Sequence, residues 1–170
     1  MKSSLLLLFI LSFVSIESFS QECKLRKSID QFSQEPKLSS GFMNFSTVKG
    51  ERISLSIEAD SKEVRLLFSL KGNCFNDQST AAFSFEGSKS KNTQKNTSSM
   101  NCDGVFTIVF RNTNTTPSAL QKIGKQKLTT ILFTSSNNQK IEVQLTEDER
   151  ALVVEKANCM ITESKSLIKS

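Results

Sequence analysis

Residues 52–70, RISLSIEADSKEVRLLFSL, decide the fold class. Ile53, Leu55, Ile57 and Ala59 alternate with Ser54, Ser56 and Glu58, and Val64, Leu66, Phe68 and Leu70 then repeat the pattern. Successive side chains of an extended strand point to opposite faces, so a two-residue period marks a strand with one face buried. Asp60-Ser61-Lys62 leaves room only for a tight turn, so the two strands are expected to pair antiparallel.

The same grammar extends in both directions. Upstream, residues 42–48 form a first candidate strand and Lys49-Gly50-Glu51 a turn, while residues 21–40 are polar with little periodicity. Downstream, residues 80–86 alternate around Phe83 and Phe85. Glu86-Gly87-Ser88-Lys89 supplies turn chemistry, and residues 90–97 return as a very polar strand. Residues 105–110 are apolar on both faces, which predicts a central strand. A loop comes next, then a short helical turn over residues 117–123 with Thr116 or Ser118 as its cap. Residues 128–134 and 140–145 form a second hairpin around Ser136-Asn137-Asn138-Gln139, where Asn tolerates the positive φ of a two-residue turn; Ile141, Val143 and Leu145 make its inward row. Thr146-Glu147-Asp148-Glu149 reads as a capping box. The helix it starts is expected to run to about Met160, with a polar tail fraying from Thr162 onward.

The N-terminus sets the compartment. Met1 to Ser20 has one positive charge at Lys2, an apolar run from Leu5 to Val14 and a small-x-small end at Ser18-Phe19-Ser20. That is the layout of a secretory signal peptide, and the run is too short to span a bilayer. Residues 21–170 are then a single mature domain, secreted or periplasmic. Cys23 comes after Ser20-Gln21-Glu22 rather than the small apolar residues of a lipoprotein signal, which argues against a lipid anchor.

Four cysteines in an oxidising compartment read as two disulfides. Cys74 and Cys102 flank the hairpin of residues 80–97, and their midpoint, residue 88, lies in its turn. Residues equidistant from a hairpin turn face one another, so Cys74 is expected to bond Cys102, leaving Cys23 for Cys159. The other two connectivities stay open.

Composition excludes more than it names. There is no His, the commonest general base and zinc ligand, and neither Trp nor Tyr. The serines lack a G-x-S-x-G elbow, an S-x-x-K motif or a histidine partner, and the six glycines form no phosphate loop. The acids at residues 147–149 suit a helix N-terminus better than acid–base work. Asn73, Asn76, Asp77 and Asp103 could supply oxygen ligands to calcium, although turn formation explains them with fewer assumptions. Chance alone produces about as many N-glycosylation sequons as the three at Asn44, Asn96 and Asn114. The net charge of +5 belongs to the mature chain, because Lys2 and Glu17 cancel in the leader. Its lysines are scattered rather than interleaved with stacking aromatics, which argues against nucleic acid. Thirteen Phe could line an apolar cavity, but they sit mostly in strand patterns that a packed core would use.

Asn101-Cys102-Asp103-Gly104, the stretch from Leu120 to Phe133 and the closing helix with Cys159 resemble small uncharacterised exported proteins of Bacteroidota. Those share a polar hairpin ending in N-C-x-G, an L-x-x-x-K-I-x-x-I-x-F strand and a final helix ending near a cysteine. The resemblance covers roughly residues 72–160 and implies a fold and an exported compartment; its motifs are structural and imply no activity. Leu132 departs from it, standing where that strand often carries a basic residue.

The sequence therefore predicts a mainly β domain: an antiparallel, barrel-like meander of six to eight strands with one C-terminal helix packed on it. The expected role is that of an exported, non-enzymatic binding or envelope-associated module without a cofactor, nucleic acid or transmembrane segment. Its partner would be a protein or another envelope component. The alternative is a carrier holding an apolar small molecule or lipid in a Phe-lined cavity.

Overall fold

The structure, a computed structural model, describes residues 23–169, so the expected signal peptide lies outside the described residues. Nine strands and two helices run in the order β1 (Arg26–Ile29), β2 (Pro36–Ser46), β3 (Arg52–Ala59), β4 (Glu63–Ser69), β5 (Thr80–Phe85), β6 (Asn92–Lys95), β7 (Val105–Arg111), α1 (Ser118–Lys125), β8 (Leu128–Thr134), β9 (Lys140–Gln144) and α2 (Glu147–Glu163), with a 3-10 turn at Ser164–Leu167. They build two antiparallel sheets, β1-β2-β3-β4-β7 and β6-β5-β8-β9.

The hairpin read from residues 52–70 forms as expected. Leu55 faces Phe68, Ile57 faces Leu66 and Ala59 faces Val64, and all six are buried. Asp60 closes its turn, its Oδ1 accepting from the amides of Lys62 and Glu63.

The connectivity is not a simple meander. After β4 the chain crosses to the second sheet for β5 and β6, returns so that β7 pairs with β4, then crosses again for β8 and β9. Nor are the sheets closed into a barrel. They meet at two corners, through the Thr47↔Val143 bridge and through Thr97, whose amide donates to the Thr107 carbonyl. Between them Phe68, Phe75, Phe83, Phe106 and Phe133 are fully buried, with ring centroids 5.1 to 6.4 Å apart, four of the six pairs edge to face. Such pairs contribute about 0.5–1.5 kcal/mol each beyond the area they bury.

Several expectations need correction. The polar segment before residue 42 is not irregular: β1 pairs with an early start of β2, from Arg26↔Ser39 to Ile29↔Pro36. All four β1 residues are exposed, so no alternation betrays the strand. β7 is an edge strand of its sheet, not a central one. Its inward row is Phe106, Ile108 and Phe110, while Val105 and Val109 belong to the opposite, outer face. The first helix, α1, lacks a side-chain cap: Pro117 occupies its N-cap position. The C-terminal tail does not fray at Thr162. Helix α2 reaches Glu163, Ser164 is buried, and Lys169 reaches Glu35 with its Nζ 2.8 Å from Oε1.

Helix α2 starts at the capping box read from the sequence: Thr146 Oγ1 accepts from the Glu149 amide and Glu149 Oε2 accepts from the Thr146 amide. Its buried residues Val153, Ala157 and Met160 belong to a helix packed on β2, β3 and β8 and on α1. No helix among the described residues is long and apolar enough to cross a membrane.

Candidate functional site

The residues singled out by sequence are mostly structural. Cys23 bonds Cys159 across Cα atoms 5.5 Å apart, and Cys74 bonds Cys102 across 3.9 Å. Of Asn73, Asn76, Asp77 and Asp103, the two asparagines have turn-closing partners within the fold. Asn73 Nδ2 donates to the carbonyls of Leu70 and Lys71, and Asn76 Oδ1 accepts from Gln78 and Ser79, so both amides close turns. Among the described residues no group of three or more His, Cys, Asp or Glu side chains is arranged for a metal. Of the acids at residues 147–149, Glu149 completes the cap and Glu147 pairs with Lys127 and Arg150. The hydrogen bond from Lys127 holds the Glu147 carboxyl below the usual carboxylate range and raises Lys127 in return.

A second cluster of charges ties three segments together. Asp30 caps the β1–β2 turn by accepting from the amides of Ser33 and Phe32, bonds that lower its pKa; Lys37 bridges it to Glu58. Glu35 accepts from Lys169 and from the Ser61 hydroxyl, which lower its pKa, and Arg65 bonds Asp60 and Glu63. Asp30 and Glu35 are thus held ionised by partners within the fold, a poor setting for proton transfer at neutral pH.

The three sequons differ in access. Asn44 and Asn114 are exposed, but Asn96 is 3% exposed and both of its Nδ2 hydrogens are used, on the carbonyls of Asn76 and Ser98. Its Oδ1 accepts from the Thr107 amide on the free side of β7. Asn96 is an edge cover, not an accessible acceptor for sugar.

What remains unexplained by structure is the outer face of the five-stranded sheet. Here Phe42 faces Ser56, Ser56 faces Leu67 and Leu67 faces Thr107 in one cross-strand row; Asn44, Ser54, Ser69 and Val105 form the next. Phe42 is 73% exposed, whereas Ser56 within the same row is 1% exposed. Phe42 points outward because of a β-bulge. Leu38 faces the core and so do Met43 and Phe45, so the in–out parity of β2 switches at the register shift between Ser39 and Phe42. Gly41, with φ +72°, sits in that bulge, and a Cβ there would meet the Arg26 guanidinium at 3.7 Å. A bulge inserts one unpaired residue and re-aims the side chains beyond it.

Phe42, Asn44, Ser54, Leu67, Phe68, Ser69 and Val105 line an open groove of about 600 Å³ on this face. A second recess of about 310 Å³ shares Asn44, Ser54 and Ser69 with it and adds Arg52 and Lys71. The face thus grades from an apolar end through polar rungs to two cations. A period of two marks the inner rows and carries no sign of this outer one. Its signals were present in the doubled Leu66-Leu67 and in Val105 and Val109, apolar residues on the side that alternation assigns to water. Comparison with family models, with curated proteins and with solved structures returns no match to this chain.

Proposed function

We propose that the chain is an exported, non-enzymatic binding module that engages a protein or another envelope component through the outer face of its five-stranded sheet. The observation that carries the reading is Phe42, a large apolar side chain 73% exposed that lines an open groove with Leu67 and Val105 on the outer face of the sheet. Antiparallel sheets commonly leave one face in water, and that face is then polar; an apolar groove on it marks an interaction site. The secretory layout of residues 1–20 and the two disulfides support a secreted or periplasmic location. A carrier would need an empty Phe-lined interior, whereas the buried rings pack on one another. Enzyme chemistry would need carboxylates or lysines with unsatisfied charge in a cleft, and the shifted groups here are paired, Glu35 with Lys169 and Glu147 with Lys127.

The test is photo-cross-linking in the host envelope. A benzophenone side chain at position 42 is expected to give a discrete adduct, and one at exposed Thr93 on β6 of the other sheet is not. Equal labelling at both positions, or none at 42, would sink the reading. Native mass spectrometry of the same preparation checks the carrier alternative, which requires a bound mass of a few hundred daltons lost on denaturation.

A further inference from the structure

The two ends of the outer-face groove specify a partner more narrowly than "a protein". Resting on the docking reading above, we infer that the groove binds an extended peptide segment of a partner protein that carries an apolar side chain and, about four residues away, a carboxylate.

The apolar end is built by Phe42 and Leu67, with Val105 flanking the polar row beside it, and the cationic end by Arg52 and Lys71. Along β3 the two ends are marked by Ser56, which faces Phe42 and Leu67, and by Arg52, four residues away. At about 3.3 Å per residue that separation is roughly 13 Å, the same span that four residues of an extended peptide cover. Arg52 and Lys71 form no ion pair among the described residues, in contrast to Lys37, Arg65, Lys127 and Arg150. Two unpaired cations lining one recess set the sign of what completes it, and a planar guanidinium favours a carboxylate through paired hydrogen bonds.

The middle of the groove favours a peptide over an acyl chain. Asn44, Ser54 and Ser69 present polar side chains that make no side-chain hydrogen bond among the described residues, while the nearby hydroxyls of Ser39 and Ser40 are used within the fold. A peptide backbone can use those donors and acceptors; a hydrocarbon tail would leave them unpaired. A second copy of this chain is disfavoured, since stacking two such faces brings like charges together.

The experiment is selection of a random dodecapeptide library on the mature chain, residues 21–170, in parallel with the Arg52→Glu/Lys71→Glu double variant and Phe42→Ser. Matching two-dimensional amide spectra outside the groove establish that the variants fold. Enriched peptides are expected to carry an apolar residue with Asp or Glu three to five positions away. The charge-reversed variant should switch the enrichment to Lys or Arg, and Phe42→Ser should weaken individual peptides at least tenfold. Peptides without acid preference, or the same peptides from the charge-reversed variant, overturn the inference. So does Phe42-dependent binding to vesicles of anionic phospholipid in the absence of any enriched peptide, which assigns the face to a membrane surface. If the cross-link from position 42 persists while acid preference is absent, only this inference fails; if both are absent, the docking reading fails with it.

Discussion

At the scale of single residues, three positions carry consequences that burial alone does not convey. Asn96 substitutes for a missing strand: its Oδ1 takes the Thr107 amide that β7 would otherwise present to a neighbouring strand, and its Nδ2 holds the carbonyls of Asn76 and Ser98. Asn96→Ala leaves the Thr107 amide, in a residue only 9% exposed, without an acceptor, at a cost of about 2–3 kcal/mol. Urea unfolding of that variant beside Thr93→Ala, a surface control, measures it; equal midpoints would refute the edge role. Gly104 is a second case. It has φ +78°, and a Cβ there would stand 2.2 Å from the Leu70 carbonyl oxygen, while its own carbonyl accepts from the Leu70 amide. Gly104→Ala is expected to cost about 1–2 kcal/mol from the backbone conformation alone, with the collision added. A melting curve within a degree or two of wild type would show that the loop gives way. The third is Gly41, whose bulge turns Phe42 from core to surface. The N-C-x-G run thus has a physical content: Asn101 pairs with Phe75, Cys102 staples the loop and Gly104 permits the approach to Leu70.

At the scale of elements, local signals succeeded where the reason for an element is local. The turn at residues 60–62, the β3–β4 pairing and the capping box of α2 depend on residues adjacent in sequence. Thr146→Ala removes one half of that box and should destabilise the protein by about 1 kcal/mol. Thr146→Ser, which keeps the hydroxyl, should recover most of it; a Ser variant as weak as Ala would assign the loss to something other than the cap. Cys74–Cys102 obeys the symmetry of its hairpin: the Phe75↔Asn101 bridge shares its centre, residue 88, with the disulfide, and the β5–β6 ladder is displaced from it by half a residue. Elements whose reason is remote were not readable. β1 has no inward row, and it forms because its backbone pairs with β2 and because Cys23 anchors it to α2. β7 looked central because both of its faces are apolar, but one of those faces belongs to the surface groove and its free edge is covered by Asn96 and Thr97. β6 is exposed at Lys95, and Lys91 just before it is exposed too, a charged edge of the kind that resists pairing with other chains.

For the molecule as a whole, the disulfides join parts that the chain separates. Cys23–Cys159 closes a span of 136 residues and Cys74–Cys102 one of 28. Chain-entropy estimates give about 5 and about 3.5 kcal/mol respectively. Cys23→Ser/Cys159→Ser should therefore lower the unfolding midpoint more than Cys74→Ser/Cys102→Ser, and the reverse order would place the larger share of structure in the smaller loop. The pH response comes from the paired surface charges. Asp30, Glu35 and Glu147 titrate below their ordinary values of 3.8, 4.5 and 4.5, so their contributions are complete above those values and disappear as pH falls through the lower folded-state values. Lys127 is raised above 10.5, so its contribution is complete below that value and is lost as pH rises through the higher folded value. With no His to titrate between them, the urea midpoint should be level from about pH 6 to about pH 8. It should fall between about pH 5 and about pH 3, and less steeply in about 1 M NaCl because exposed pairs are screened. A midpoint that rises on acidification would contradict the assigned ion pairs.

The β class, the β3–β4 hairpin, the helix start at Thr146 and a cysteine pairing matched by both disulfides were legible in the residue order, because each derives from periodicity, from turn and cap chemistry, or from symmetry about a turn. Which sheet each strand joins, the edge position of β7 and the exposure of Phe42 emerge when the chain packs. Those outcomes depend on contacts between residues far apart in the chain, such as Thr47 with Val143 and Asn96 with Thr107, and on one bulged residue that reverses the parity of β2. An alternating pattern states that a strand has two faces. Which face meets the core, and what the other is left free to bind, is settled when the sheets pack.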